Sequence, residues 1–317
     1  MERSVTTTEL RRTARGSISA RRALSRYLSL SENNPLYGWL YLLPYTVVFA
    51  VFLVYPIIQG LWVSFTQWDL VNPPIFIGIG NYRALLSDDL FIKSLGNTLI
   101  FAAMNAPLIV LVPLGLAILV NRPVLGRTIF RSAFTAPIMI SVSSVGLLWG
   151  WFLNPVFGIV NAYAQALGLP PQNWLAEPGW AMLAVVITTL WWSTGWNLVL
   201  YLAGLQEIPE HLYEAARIDG AGEWALFRHI TLPGLRPTTL FVSVTSVIGS
   251  LRVFGQVYVL TGGGPYDSTR TVVQHIYQNG FEYFKMGYAS AVAWVLFVII
   301  LAFVLIEFRV MKGRVDQ

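Results

Sequence analysis

Six long apolar runs punctuate the chain, at Trp39 to Leu61, Thr98 to Val120, Ala133 to Leu153, Ala181 to Ala203, Thr238 to Leu260 and Tyr288 to Phe308. Within each run the apolar residues are continuous and not confined to one helical face. About 20 mostly apolar residues carry a helix across roughly 30 Å of hydrocarbon, so every run is long enough to span. Barrel strands would read as segments of about ten residues with alternating character. The unbroken runs therefore predict helices, which satisfy their own backbone hydrogen bonds in lipid. The expected fold is all-α and integral to the membrane, with about six transmembrane helices.

The polar segments between the runs set the organisation. Residues 1–38 are basic and rich in Ser, Thr and Arg, with no short apolar core ahead of a small-residue cleavage site. They read as a disordered cytoplasmic tail before an uncleaved first helix. Residues 39–310 form one transmembrane domain, and 311–317 are a second short tail. The loop from Trp62 to Asn97 carries Asn72-Pro73-Pro74 and Gly78-Ile79-Gly80, then an amphipathic piece from Tyr82 to Ser94 expected to lie along the membrane face. The loop from Asn154 to Trp180 carries Pro155, Pro170-Pro171 and Pro178, with Trp174 and Trp180 suited to the interfacial belt.

Composition agrees and adds orientation. The 317 residues are 55% hydrophobic with mean hydropathy +0.59, and only 12% are charged. A formal charge of +5 raises the question of nucleic acid, but the basic residues follow topology. Sixteen Lys and Arg fall in the two tails and the second and fourth loops, four fall in the other loops, and Arg252 lies within a run. The positive-inside rule then places both termini, and the loop from 205 to 237, in the cytoplasm. Cysteine is absent, which removes thiolate metal sites, disulfides and cysteine catalysis. His211, His229 and His275 share no ligand spacing. No carboxylate pair or nucleophile–base arrangement is evident inside the spans.

The loop 205–237 is the densest charge cluster outside the N-terminal tail. Pro209 suits the first turn of a helix, with Glu207 and Glu210 where the dipole favours negative charge. A short helix from Pro209 to Ile218 is predicted, then a turn at Asp219-Gly220, then a second helix from Gly222 to His229 that stops before Pro233. Ala215 and Ala216 present no bulk, Leu212, Ile218 and Phe227 offer apolar anchors, and Glu214, Arg217 and Asp219 offer charges. These features fit a docking surface for a soluble partner, and equally a solvated hairpin that only connects two spans.

Polar side chains inside spans are costly unless they face a cavity or another helix. In the fourth run Thr189, Ser193, Trp196 and Asn197 recur at helical spacing, and in the fifth Ser246, Gly249, Ser250 and Val253 do the same. Each set defines one face. Trp191, Trp192 and Trp196 can stack on sugar rings; the alternative is that the small polar residues only hold helices together. Arg252 costs about 2.5–3.5 kcal/mol near a helix centre on insertion scales. It is expected in a cavity or at a subunit interface, or else it snorkels outward. An anionic solute would find its partner there.

The spacing Glu214-Ala215-Ala216, three residues, Gly220, nine residues, Ile230, one residue, Leu232-Pro233 resembles the signature loop of membrane subunits of binding-protein-dependent ATP-binding-cassette importers. Leu260-Thr261-Gly262-Gly263-Gly264-Pro265, Phe281-Glu282-Tyr283-Phe284 and Met286-Gly287-Tyr288-Ala289-Ser290 are similar to the outer loop and last span of carbohydrate permeases. Tyr55-Pro56, Ser64-Phe65-Thr66-Gln67-Trp68 and Gly80-Asn81-Tyr82 resemble the first permease of the maltose and glycerol-phosphate type pair. The resemblance covers nearly everything after residue 35. It implies a coupling helix in which Glu214, Ala215, Ala216, Arg217, Asp219, Gly220, Leu212 and Phe227 contact a nucleotide-binding subunit. It also puts several of the polar-face residues where the maltose-type permease contacts sugar, though with different residue types, and the expected solute path runs along Thr189, Ser193, Trp196, Asn197, Ser246, Gly249, Ser250, Arg252 and Val253.

The same resemblance implies a type I importer permease in a bacterial or archaeal inner membrane, working by alternating access. Its partners would be a second permease subunit, two ATPase subunits, an extracytoplasmic solute-binding protein and lipid. The solute would be a sugar or a glycerol-phosphate-like molecule, and nucleic acid has no part. The chain has no G-x-x-x-x-G-K-[ST] loop, so it is expected to bind no cofactor and to leave ATP and Mg to the partner. A secondary transporter or channel would need coupling-ion carboxylates within spans or an inverted repeat, and a membrane enzyme would need catalytic residues at the interface; neither set is visible.

Overall fold

A computed structural model describes residues 35–121 and 126–312, and divides the chain at Trp62 into two units. Of the tails expected at 1–38 and 311–317, residues 1–34 and 313–317 lie outside the described residues, as does Arg122, while 35–38 and 311–312 belong to the first and last helices and are not tail. Among the described residues the first unit is helical throughout and belongs to α1, which is built of an α segment Pro35–Phe49, a π turn Ala50–Val54 and an α segment Tyr55–Ser64 whose last two residues fall in the second unit. The π turn has a local cause. Tyr55 N–H reaches back to the Ala50 carbonyl immediately before Pro56, and the widened turn relieves the clash a proline ring makes with the carbonyl four residues earlier.

After the last turn of α1 the second unit forms a two-stranded antiparallel hairpin, β1 Thr66–Gln67 and β2 Ile75–Phe76, in the register Thr66 to Phe76 and Gln67 to Ile75. A short helix α2, Gly80–Leu86, follows. The amphipathic piece expected over 82–94 is not one element. Asp88 accepts the Leu90 and Phe91 amides at 2.9 and 3.1 Å, so the chain restarts as a new helix there. That helix, α3, runs Asp89–Asn121, and its 33 residues span about 50 Å at 1.5 Å each, so it extends beyond the hydrocarbon.

The third apolar run is not a straight span. α4, Arg127–Thr135, passes through a 3₁₀ turn at Ala136–Met139 into α5, Val142–Phe152, with a bend of 106°. Ile140 is extended, and Ser141 caps α5 by accepting the Ser144 amide. α6, Ile159–Ala166, is held by the buried Asn161, which bonds the Gln172 backbone on both sides and accepts Trp174 Nε1 at 2.8 Å. α7 then runs Pro178–Glu207. The helices of the polar loop are α8, Glu210–Ile218, and α9, Glu223–Leu226, which continues through a π turn Phe227–Thr231 to Leu232–Gly234.

α10, Arg236–Leu251, ends inside the fifth apolar run, and α11, Gly255–Leu260, restarts after a break. The single span expected over Thr238 to Leu260 is therefore two pieces. α12, Val272–Tyr277, leads through a π turn Gln278–Glu282 to α13, Met286–Lys312. Among the described residues four helices are long and apolar enough to span, and the bent pair α4–α5 makes a fifth. The freed carbonyl at the break is satisfied: Thr271, fully buried, donates its hydroxyl to the Val253 oxygen at 2.9 Å.

α3 and α7 run parallel and pack along their length. Phe101 meets Val185 and Val186 in one cluster with Leu153 and Val257; Leu114 and Ala117 meet Leu198, Tyr201 and Leu205 in a second, with Leu235 and Val242. Lipid tails are as apolar as these side chains, so close packing and van der Waals contact, not release of water, hold the pair together. A third cluster joins Leu85 and Phe91 to Val272 of α12 and Val292 and Leu296 of α13.

The hairpin is tied to the start of α13. Trp68 O accepts the Met286 amide at 2.9 Å, and Asn81 Nδ2 donates to Ser64 O and Thr66 O. Gly287 sits at this joint, where a Cβ would run into the Thr66 carbonyl oxygen. Beneath it, buried His275 lies 3.4 Å from Asp88, which also accepts Tyr288 OH at 2.5 Å. Burial pushes the imidazole below its ordinary value, against the opposing pull of Asp88 and with a further push from Arg270. For Asp88 burial acts upward, but the bonds from Tyr288 and the Phe91 and Leu90 amides, with His275, hold its carboxyl below the usual range.

Two predictions follow from this joint. Gly287→Ala overpacks it and should destabilise the purified chain by about 1–3 kcal/mol, read as a lower thermal midpoint in detergent. His275 binds its proton less readily folded than unfolded, so its stabilising contribution is present above the unfolded value of 6.5 and declines as pH falls below it. Asp88, depressed when folded, contributes above 3.8 and loses that contribution as pH falls further. Thermal midpoints should therefore drop from pH 7 to pH 5, and His275→Gln should flatten that interval while leaving the decline below pH 4.

Candidate functional site

The break after α10 and the bend before α5 face each other, and a cavity of about 540 Å³ opens between them. α7 contributes Thr189, Trp192, Ser193, Trp196 and Asn197; α10 contributes Thr245, Ser246, Gly249 and Ser250; the break contributes Arg252 to Gln256. α3 adds Asn105 and Ile109, and the bend adds Ile138 and Val142. All nine residues that the two helical faces and Arg252 pointed to, namely Thr189, Ser193, Trp196, Asn197, Ser246, Gly249, Ser250, Arg252 and Val253, line this one space.

Their bonds separate scaffolding from free chemistry. Thr189 and Ser193 turn their hydroxyls back onto their own helix, to Val185 O at 2.7 Å and Thr189 O at 2.5 Å. Asn197 Nδ2 ties α7 to α3 through Ile109 O at 3.2 Å and lies 3.5 Å from Ser246 Oγ. Asn105 Nδ2 donates to Ser250 Oγ at 2.9 Å, tying α3 to α10, while its Oδ1 has no partner among the described residues. The helix-tying role falls to the amides, at about 0.6 kcal/mol for an average bond of this kind.

Trp192 anchors its indole N–H on the Ile140 carbonyl at 2.9 Å, which satisfies the backbone at the bend. Trp196 is 58% exposed and lines the open side of the cavity. Trp191, also offered as a stacking residue, is not among the lining residues; it packs edge-on against Trp149. Asn105 and Gln256 escaped the sequence reading. Asn105 is an isolated amide in an apolar run, and that alone was its signal.

The polar loop forms a helical hairpin. Gly220, at φ +84°, closes α8: its amide bonds Arg217 O at 3.1 Å and the Ala221 amide bonds Ala216 O at 2.9 Å, a glycine-capped helix end. Pro209 stands at the N-cap, one residue earlier than expected. α9 does not stop before Pro233 but passes through it, because the Leu232 amide reaches back to Phe227 O and widens the turn, as happens before Pro56. Tyr213 OH bonds Thr231 Oγ1 at 3.0 Å and locks the arms together.

Glu214, Ala215, Arg217 and Asp219 are exposed, and none of these charged residues forms an ion pair among the described residues. Ile218 and Trp224 project at 87% and 70% exposure; Trp224 was not foreseen. Phe227 is half-buried against Trp224, and Leu212 lines a groove of about 410 Å³ beside Ile208 and His229.

A larger space of about 860 Å³ lies between the hairpin strands and the start of α13. Four of its amides and carboxylates serve the fold: Asn81 holds the hairpin, Asp88 caps α3, Asn279 bonds His275 O and Asp69 accepts from Asn72.

The family described as "Binding-protein-dependent transport system inner membrane component" matches residues 75–312. The chain is 33% identical to the sulfoquinovosyl glycerol transport system permease protein of Agrobacterium fabrum, covering 92% of this chain and 94% of the relative. It is 37% identical to the arabinooligosaccharides transport system permease protein of Bacillus subtilis, over 86% and 87% of the two. Among solved structures it resembles a chain of a bacterial alginate ABC transporter in complex with an alginate pentasaccharide-bound periplasmic protein, with a TM-score of 0.78, 25% identity, and coverage of 88% and 95%.

Proposed function

We propose that this chain, which belongs to the family of binding-protein-dependent transport system inner membrane components, carries a sugar or sugar derivative through the cavity between α7 and α10. It is a multi-pass permease subunit of a binding-protein-dependent sugar importer of the ATP-binding-cassette type, and not an enzyme. One observation carries the proposal: the two helices that form the cavity walls are the two that the exposed hairpin joins. α7 ends at Glu207 just before α8, and α9 leads through Leu235 into α10. A displacement of the hairpin is therefore passed to both walls.

In this reading α8 is the coupling helix. Glu214, Arg217 and Asp219 supply unpaired charge, Ala215 and Ala216 allow close approach, and Ile218 and Trp224 supply apolar contact to a nucleotide-binding subunit that hydrolyses ATP with Mg. Leu212 and Phe227 contribute from the groove and the half-buried side. Two such subunits, a second permease completing the path, and a binding protein delivering solute make up the assembly. Both tails and the hairpin, residues 205–237, lie in the cytoplasm, as the distribution of Lys and Arg supports. Closure of the ATPase pair moves the hairpins and exchanges inward for outward access. The cavity is lined by no carboxylate among the described residues, which favours this reading over an ion-coupled secondary transporter.

In the assembled importer, Glu214→Ala combined with Gly220→Val should lower solute uptake and solute-stimulated ATP hydrolysis at least about tenfold, since a β-branched residue strains the positive φ, while membrane insertion persists. Unchanged uptake would sink the coupling assignment. The natural absence of cysteine makes orientation testable. A single cysteine at Asp219 should resist a membrane-impermeant maleimide in intact cells and react after permeabilisation, and one at Glu177 should react at once.

A further inference from the structure

Arg252 stands where α10 ends, at its C-cap, and lines the cavity as an exposed side chain. It is the single charged residue among the described lining residues, and no ion pair to it is seen among the described residues. The partial negative charge of the helix C-terminus offsets part of the guanidinium's charge, so the site is tolerated between transport events. No carboxylate among the described residues completes it. Gly249, one turn back, has nothing within 4 Å of where a Cβ would lie, which leaves room beside the guanidinium.

The rest of the lining has the chemistry of a carbohydrate site. Trp196 presents an indole for a pyranose face, and Asn105 keeps an amide oxygen without a partner although the residue is only 1% exposed. Its nitrogen lies 2.9 Å from Ser250 Oγ. An unpaired buried acceptor is a place for a hydroxyl donor. A planar guanidinium fork suits the paired oxygens of carboxylate, sulfonate or phosphate.

We infer that the solute of this cavity is a sugar bearing one anionic group, held by Arg252 while its ring lies against Trp196. The inference rests on the reading of the cavity as the solute path.

The test is ligand-observed saturation-transfer NMR on the complete importer in nanodiscs, with D-glucuronate and D-glucose as probes at millimolar concentration. D-Glucuronate should bind at least about tenfold more tightly than D-glucose. Arg252→Gln should bring it down to the glucose level, and Arg252→Lys should retain part of the preference, with both variants co-purifying with the partner subunits. Equal affinities, no binding of either probe, or a preference that survives Arg252→Gln would overturn the inference. Loss of co-purification in Arg252→Gln but not in Arg252→Lys would also overturn it, by assigning the charge to a partner's carboxylate. Trp196→Ala separates the two levels. If it abolishes glucose binding while the probes bind equally, the path stands and the anion falls; if it changes the binding of neither sugar, the path itself falls.

Discussion

A helix that ends within an apolar layer frees amides and carbonyls that hydrocarbon cannot satisfy, at several kcal/mol each. Two helices of this chain break nonetheless, and each break is covered by a side chain from elsewhere. Thr271 donates to the Val253 carbonyl at the end of α10, and Trp192 donates to the Ile140 carbonyl at the bend before α5. The two breaks are adjacent, with α5 and α11 packed so closely that a Cβ on Gly255 would approach Val142 to 2.9 Å. The cavity is the space these breaks leave. Its polar lining, the position of Arg252 and the exposed face of Trp196 all depend on backbone being affordable there.

The same economy governs the other end of the molecule. The hairpin is small, yet its arms are held by a glycine-capped helix end, by the Tyr213 to Thr231 bond and by the turn that lets α9 pass through Pro233. A stiff joint between α7 and α10 is what a transducer requires, because a flexible loop would absorb displacement instead of passing it on. The charges left unpaired on its outer face cost little in water and suit a partner's surface. The scaffold is thus tied at the joint and leaves its outer charges without ion pairs among the described residues.

Much of this was legible in the residues. Continuous apolar runs specify helices in lipid, and the polar faces at Thr189 to Asn197 and Ser246 to Val253, each defined by helical spacing, line one cavity. The 205–237 hairpin was legible because Gly220 and Pro209 constrain the backbone locally. Less legible was whether an apolar run stays whole. Nothing in Thr238 to Leu260 or Ala133 to Leu153 announces a break except Arg252 and Pro137, and a proline or a charge inside a span can be tolerated in an unbroken helix. Pro107 and Pro113 in α3 are the proof, lying within 33 continuous helical residues.

The sequence by itself determined the membrane-embedded helices, the sides on which their loops are expected, and which faces carry polar groups, because hydrophobicity, charge and helical period act over neighbouring residues. Only the tertiary structure decided where helices break, that Asn105 and Gln256 join the cavity, that Trp191 turns away to Trp149 while Trp192 and Trp196 line it, and that Arg252 stands with no carboxylate beside it among the lining residues. Those outcomes depend on donors such as Thr271, far along the chain, reaching freed carbonyls such as that of Val253. No local pattern encodes such a meeting, because its energy exists only once the distant segments have packed.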